Sequence, residues 1–197
     1  MKHLITCLLA ISCLFMFGRV DQTSEQAKKS DEIVMKMRQI DLLNQIIPLV
    51  LTKDQINQLL PAIERARAKA ALVQKDEASA LRKLDGKISE AIKKAIETGV
   101  APPKDLLNEL ATATTAMTEK RLLAMDENTD AVYKVFSDTC NAGQKKAAAN
   151  SFSPAFINPG VKPDQLTDVQ KIRFFVDNVL LDPQAHDLLV ALAKHAS

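Results

Sequence analysis

Several things are scarce in this 197-residue chain. It has no tryptophan, one tyrosine (Tyr133) and five glycines. Nowhere do apolar and polar residues alternate as a half-buried strand requires. Alanine, leucine, lysine and glutamate are plentiful instead, which favours long helices over sheets. A strong basic excess, the usual mark of a nucleic-acid binder, is also missing. The formal net charge is +2, and with Lys2 and Arg19 set aside, 24 basic residues face 24 acidic ones.

Patterns for catalysis and metal binding are missing too. There is no Cys/His spacing of the zinc type, no Ca²⁺ loop signature and no glycine-rich phosphate loop. Beyond the first twenty residues the histidines are His186 and His195. They lie about two and a half helical turns apart, and a solvated helix face or a helix end is expected for both. The acidic pairs Asp76-Glu77 and Asp126-Glu127 read as helix surface. Nucleophilic catalysis needs a base beside a Ser or Cys, and Cys140 has no evident partner. The chain is therefore read as a non-enzyme with no cofactor, no metal and no small-molecule substrate. Cys140 is the one cysteine after Cys13, so an exported chain has no internal disulfide. A buried or tolerated thiol fits it, as does a bridge between two copies.

What is present begins with "MKHLITCLLAISCLFMFGRV". After Lys2 and His3, Leu4 to Phe17 is a 14-residue run without a charge. That is shorter than the roughly 20 residues of a membrane span and fits the apolar part of an export signal. Residues 1–20 read as that signal, 21–29 as a polar, flexible leader and 30–197 as one all-helical domain. Gly18-Arg19-Val20 is a poor cleavage match. Two alternatives stay open: lipid attachment at Cys13 within "AISC", and a retained membrane tether.

A first helix is expected near Ser30, with Asp31 and Glu32 in its first turn. Ile33, Met37, Ile40, Leu43 and Ile47 form its apolar face, and Pro48 ends or bends it. The second helix should run from Lys53 to about Thr98, spanning roughly 70 Å. Its stripe is Ile56, Leu59, Leu60, Ile63, Ala70, Val73, Leu81, Leu84, Ile88, Ile92 and Ile96. Pro61 predicts a kink, Gly86 weakens the middle, and Gly99 stops it. "TGVAPPKD" is a turn. A third helix begins near Lys104 and ends before Gly143, with Leu106, Leu110, Ala113, Met117, Ala124, Val132, Val135 and Phe136 on one face. A short connection makes the two an antiparallel hairpin. Their charges are complementary: ten basic and six acidic residues from Lys53 to Lys94, four and seven from Lys104 to Cys140. Pro154, Pro159, Gly160 and Pro163 then mark a loop whose Phe152, Phe156 and Ile157 are placed to cover an apolar seam. Helices over Asp168–Leu181 and from Pro183 to about His195 complete the chain. The fold class is all-α: a long antiparallel helical hairpin with additional N- and C-terminal helices.

One pentapeptide, Leu-Thr-x-x-Gln, occurs at Leu51–Gln55 and again at Leu166–Gln170. Thr52 is a good N-cap, and Gln55 can reach back to its N–H, which makes a capping box. Leu51 and Ile56 can form a hydrophobic staple. In the second copy, Thr167 and Gln170 repeat the box, but Lys171 replaces the staple partner. With Leu51, Thr52, Gln55, Leu166, Thr167 and Gln170 on long helices after an export signal, the chain resembles the Spy/CpxP family of periplasmic proteins. That resemblance implies a cradle-shaped helical dimer in the periplasm. It also implies binding of unfolded or misfolded clients without ATP during envelope stress.

The residues themselves suggest where a client would sit. The concave side of a bent hairpin, lined by apolar stripe residues, would be rimmed by Arg65, Arg67, Lys69, Arg82, Lys83 and Lys87. Met117 and Met125 would repack to suit many clients, with Met35 and Met37 as further help. A lone hairpin has too little interior to cover both stripes. Either a second copy, giving a homodimer, or the terminal helices must cover the rest. The expected function is therefore an exported, ATP-independent, chaperone-like protein. The alternative is a structural or regulatory helical module that binds one envelope partner.

Overall fold

The computed structural model describes residues 24–151 and 160–196. No strand occurs among them. The helices are α1 (Ser24–Ile46), α2 (Lys53–Thr98), α3 (Lys104–Thr139), α4 (Ala142–Ser151), α5 (Asp168–Phe175) and α6 (Ala185–Ala193). The expected export segment, the start of the leader, and Phe152, Phe156 and Ile157 lie outside the described residues.

The chain divides into two compact units, one ending at Ile40 and one from Asp41 onward. The first is helical from Ser24, six residues before the expected start near Ser30. Lys29 and Glu25, one turn apart, form an exposed ion pair at 3.2 Å. Ile33, Met37 and Ile40, expected as an inner face, are exposed.

In the second unit, the end of α1 buries Leu42 and Ile46, not Leu43 and Ile47. Two adjacent apolar stripes compete on this helix, and the period alone does not choose between them. Pro48 does not simply end the helix. It sits in a 3-10 turn, Ile47–Leu49, which brings Leu49 inside. Val50 follows with φ 49°, a left-handed conformation unusual for a β-branched residue.

α2 has the expected bounds and continues through Pro61. Gly99 closes it in the left-handed region, φ 68°, and donates its N–H to the Ala95 carbonyl at 3.0 Å. A side chain would strain that position. α3 returns antiparallel, and the pair forms the long hairpin. α4 is separate from α3, with a break at Cys140 and Asn141. Cys140 is buried. The loop before α5 carries a 3-10 turn, Pro163–Gln165. α5 stops at Phe175 and passes into one π-helical turn, Val176–Leu180. Pro183 lies in the following turn, ahead of α6 rather than inside it.

The core sits at the hairpin root. Leu59, Ile63 and Ala66 of α2 and Val132 and Phe136 of α3 meet Ala148 of α4, Phe175 and Leu180, and Leu189 of α6. Phe136 and Phe175 stack obliquely, with ring centroids 6.0 Å apart. Beyond the root the hairpin is bare. Between Arg67 and Leu123, Leu84 is the only buried apolar residue. Leu81, Ile92 and Ile96 of the expected stripe are exposed, because α4, α5 and α6 pack only near the root.

Candidate functional site

The first Leu-Thr-x-x-Gln copy closes a complete capping box. The Gln55 N–H donates to Thr52 Oγ1 at 3.2 Å, and the Thr52 N–H donates to Gln55 Oε1 at 3.0 Å. Ile56 is buried in the core and Leu51 packs against the same core, the placement a staple requires. The Gln55 amide does more than cap. Its Nε2 donates to the Thr139 carbonyl and to Gln144 Oε1, both at 2.9 Å. Gln144 Nε2 returns a bond to Gln55 Oε1 at 2.9 Å and another to the Val50 carbonyl at 3.2 Å. Gln144 is itself the N3 residue of a further box, Asn141-x-x-Gln144, with bonds of 2.9 and 3.0 Å. Each of the two amides thus uses both of its donors and both of its acceptor sites. Four segments meet there: the Val50 turn, the start of α2, the end of α3 and the start of α4.

The second copy also closes its box, with Gln170 N–H to Thr167 Oγ1 at 3.3 Å and Thr167 N–H to Gln170 Oε1 at 2.9 Å. Its bonds are local and exposed. No hydrogen bond joins the two copies among the described residues. The partner of the first copy is the Asn141 box, which sequence reading missed although it has the same x-x-Gln spacing.

The expected basic rim does not act as one set. Lys69 pairs with Glu127, and Lys87 Nζ holds Glu109 at 2.7 and 2.9 Å. Both bridge α2 to α3 across the hairpin seam. Arg67 leans to Asp187 of α6 at 3.9 Å. Arg65, Arg82 and Lys83 are exposed and make no ion pair among the described residues. Met117 is half-buried and Met125 is exposed. Glu77 overturns its surface assignment: it is 5% exposed, and Arg121 grips its two oxygens at 2.5 and 2.7 Å. These bonds hold its carboxyl below the usual glutamate range, against the opposing effect of burial. The carboxylate is covered by its neighbours but lies in a thin two-helix seam, close to water.

Where the C-terminal helices stop covering the hairpin, a groove of about 760 Å³ opens. Alanines 66, 70, 71 and 124 keep its walls low, and Met125, Leu181 and Pro183 edge it. Asn128, on the α3 wall, is buried and ties α3 to α2 by donating to the Ala66 carbonyl at 3.0 Å. Asp177, from the π-helical turn, borders the groove. Burial pushes its carboxyl above the usual aspartate range, opposed by the Thr129 hydroxyl, 3.2 Å away, and by the charge of Arg173. A smaller hollow of about 260 Å³, lined by Gln170, Arg173 and Phe174, shares Met125 and Asp177 with the groove. Of the expected client-binding residues, the groove takes Arg67 and Met125. Its other polar groups, Gln74, Glu77, Arg121, Asn128 and Asp177, were not anticipated at a site. One signal was readable: Asp177 is a lone acid in the run "RFFVDNVLL".

His186 takes the helix end of the two expected placements, in the first turn of α6. Its side chain is only 16% exposed, not on a solvated face. Nδ1 lies 2.8 Å from Asp187 and Nε2 3.1 Å from Glu64, tying α6 to α2. His195 is exposed beyond the end of α6. Among the described residues, no three His, Cys, Asp or Glu side chains gather to hold a metal ion. No helix among them is long and apolar enough to cross a membrane. Comparison with family models, curated proteins and solved structures found no match.

Proposed function

We propose that the protein is an exported, ATP-independent, chaperone-like protein that holds partly unfolded polypeptides on its hairpin. One observation carries the reading: the hairpin arm beyond the root leaves large apolar side chains in water. Leu72, Leu81, Ile92, Leu107, Leu122 and Leu123 are between 47% and 63% exposed. Covering the remaining half of such a side chain contributes about 1 kcal/mol. Several such contacts, after the cost of association, give weak and reversible binding, which suits many clients. The export signal expected at residues 1–20 and the resemblance carried by the paired motif support an envelope role.

An aggregation assay tests the reading. A chemically unfolded client is diluted into buffer with equimolar protein and no ATP. Suppressed light scattering is expected, and scattering unchanged from the client alone overturns the proposal. A second reading, a module for one dedicated envelope partner, is favoured by the defined polar edge of the groove at the root. It predicts one tight stoichiometric complex in a pulldown and no effect on unrelated clients.

A further inference from the structure

We propose that the groove at the hairpin root binds a lysine or arginine flanked by apolar residues on an unfolded polypeptide, with Asp177 as the counter-ion. The inference rests on the chaperone-like reading and names what that reading leaves open, the kind of segment preferred.

Charge at the groove carries the argument. Glu77 and Arg121 satisfy one another, and Arg67 leans to Asp187. Asp177 makes no ion pair among the described residues. The cation on its own helical segment, Arg173, is engaged by Asp126 at 2.9 Å and by Asp130. What Asp177 does receive is weak: Thr129 at 3.2 Å and the Asn178 amide at 3.5 Å. An ionised carboxylate has room for about four such bonds. The groove therefore presents a carboxylate that feels the charge of Arg173 only at a distance, with no direct ion pair and with acceptor sites to spare, beside low alanine walls.

A lysine or arginine matches both features. Its methylene stem can lie along Met125 and Leu181 while its head reaches the carboxylate. The flanking apolar residues then occupy the shelf that the alanines leave. Asp177 and Met125 also border the smaller hollow beside Gln170 and Phe174, so a chain passing Asp177 has a surface to follow on either side. The raised carboxyl pKa agrees with a charge that the fold tolerates without solvating it fully.

Labelled 12-residue peptides of alternating leucine and serine test this, with lysine, norleucine or glutamate at the centre. Affinity is read by fluorescence anisotropy on the full chain. The lysine peptide should bind about tenfold tighter than the norleucine peptide, and the glutamate peptide weakest. Asp177→Asn should erase the lysine preference while norleucine binding stays. Equal binding of lysine and norleucine peptides to the wild type overturns the inference, whatever the variant's folding. So does a lysine preference that survives in Asp177→Asn. Peptide binding that weakens as protein concentration rises assigns the groove to a second copy, and overturns it as well. If aggregation is still suppressed in these cases, the chaperone-like reading stands alone. If no peptide binds and aggregation is unaffected, both fall.

Discussion

Gln55→Ala separates a helix cap from a structural joint. The substitution removes four side-chain hydrogen bonds: from Thr52 N–H, to the Thr139 carbonyl, and the two exchanged with Gln144. The bond from residue 55's own N–H to Thr52 Oγ1 is untouched. Gln144 is 8% exposed, so it loses two partners where water reaches poorly. Three bonds between segments, each contributing about 0.5–1.5 kcal/mol net, give a loss of roughly 2–4 kcal/mol. For a chain of this size the melting temperature should fall by roughly 5–10 °C. Gln170→Ala is the control. It breaks the same local box without long-range bonds and should cost about 1 kcal/mol or less. Urea titrations followed by circular dichroism measure both. A double-mutant cycle with Gln144→Ala should show a coupling of about 1 kcal/mol or more. Equal losses for Gln55→Ala and Gln170→Ala, or no coupling to Gln144, would refute the joint.

Five other outcomes rest on the same geometry. Phe136→Ala, at a site with no exposure, should cost about 3–5 kcal/mol; Ile92→Ala on the arm should stay within about 0.5 kcal/mol and weaken client protection in the scattering assay. Arg121 holds the Glu77 carboxyl below its usual range, so that stabilisation is present above the unfolded value and lost as pH falls through the folded one. Glu77→Gln should therefore flatten the fall in urea midpoint between about pH 5 and pH 3. Burial acts oppositely on Asp177: its ionised form costs stability above the raised folded value, and the cost is relieved as pH falls toward the unfolded one. Asp177→Asn should melt above the wild type at pH 7, with the gap closing in acid, and an equal or lower melting point refutes this. Cys140 is 5% exposed and burial raises its thiol pKa, so a charged disulfide reagent should label it only on unfolding; rapid labelling of the native protein would contradict that burial.

The parts of the fold that were legible in sequence are those fixed by local chemistry. The α2 limits follow from the Thr52 box and from Gly99, and the α3 start follows from the Pro102-Pro103 turn. The hairpin follows from the short connection, and its charge complementarity appears as cross-helix pairs. The partners Lys69–Glu127, Glu77–Arg121 and Lys87–Glu109 lie nearly symmetrically about the Gly99 turn. The helical period alone places Glu77 on the surface; the register across the hairpin is what pairs it with Arg121. Other features depended on tertiary choices. α1 offered two apolar stripes, and only packing selects Leu42, Ile46 and Leu49. The π-helical turn re-aims the segment carrying Asp177, and an uninterrupted helix from Asp168 to Leu181 does not anticipate that. The groove itself exists because the C-terminal segment turns back at Leu181 and Pro183, ahead of α6, which is a property of the assembly rather than of any motif.

The contrast between root and arm bears on function. At the root, the saturated Gln55–Gln144 pair holds a left-handed Val50 through its carbonyl, and the aromatic core packs without exposure. On the arm, ion pairs fix the register of two helices whose outer apolar residues nothing among the C-terminal helices covers. Length decides this. α4, α5 and α6 have 10, 8 and 9 residues, or about 12–15 Å each. α2 alone has 46 residues, or about 69 Å. No rearrangement of those three helices spans the arm, and any that moved outward would uncover Phe175, Leu180 or Leu189 at the root. Cover for Leu81, Ile92, Leu107 and Leu122 must therefore come from elsewhere than the C-terminal helices. A surface that this sequence leaves apolar and these helices cannot close is suited to another polypeptide, and the scattering assay with Ile92→Ala tests that use directly.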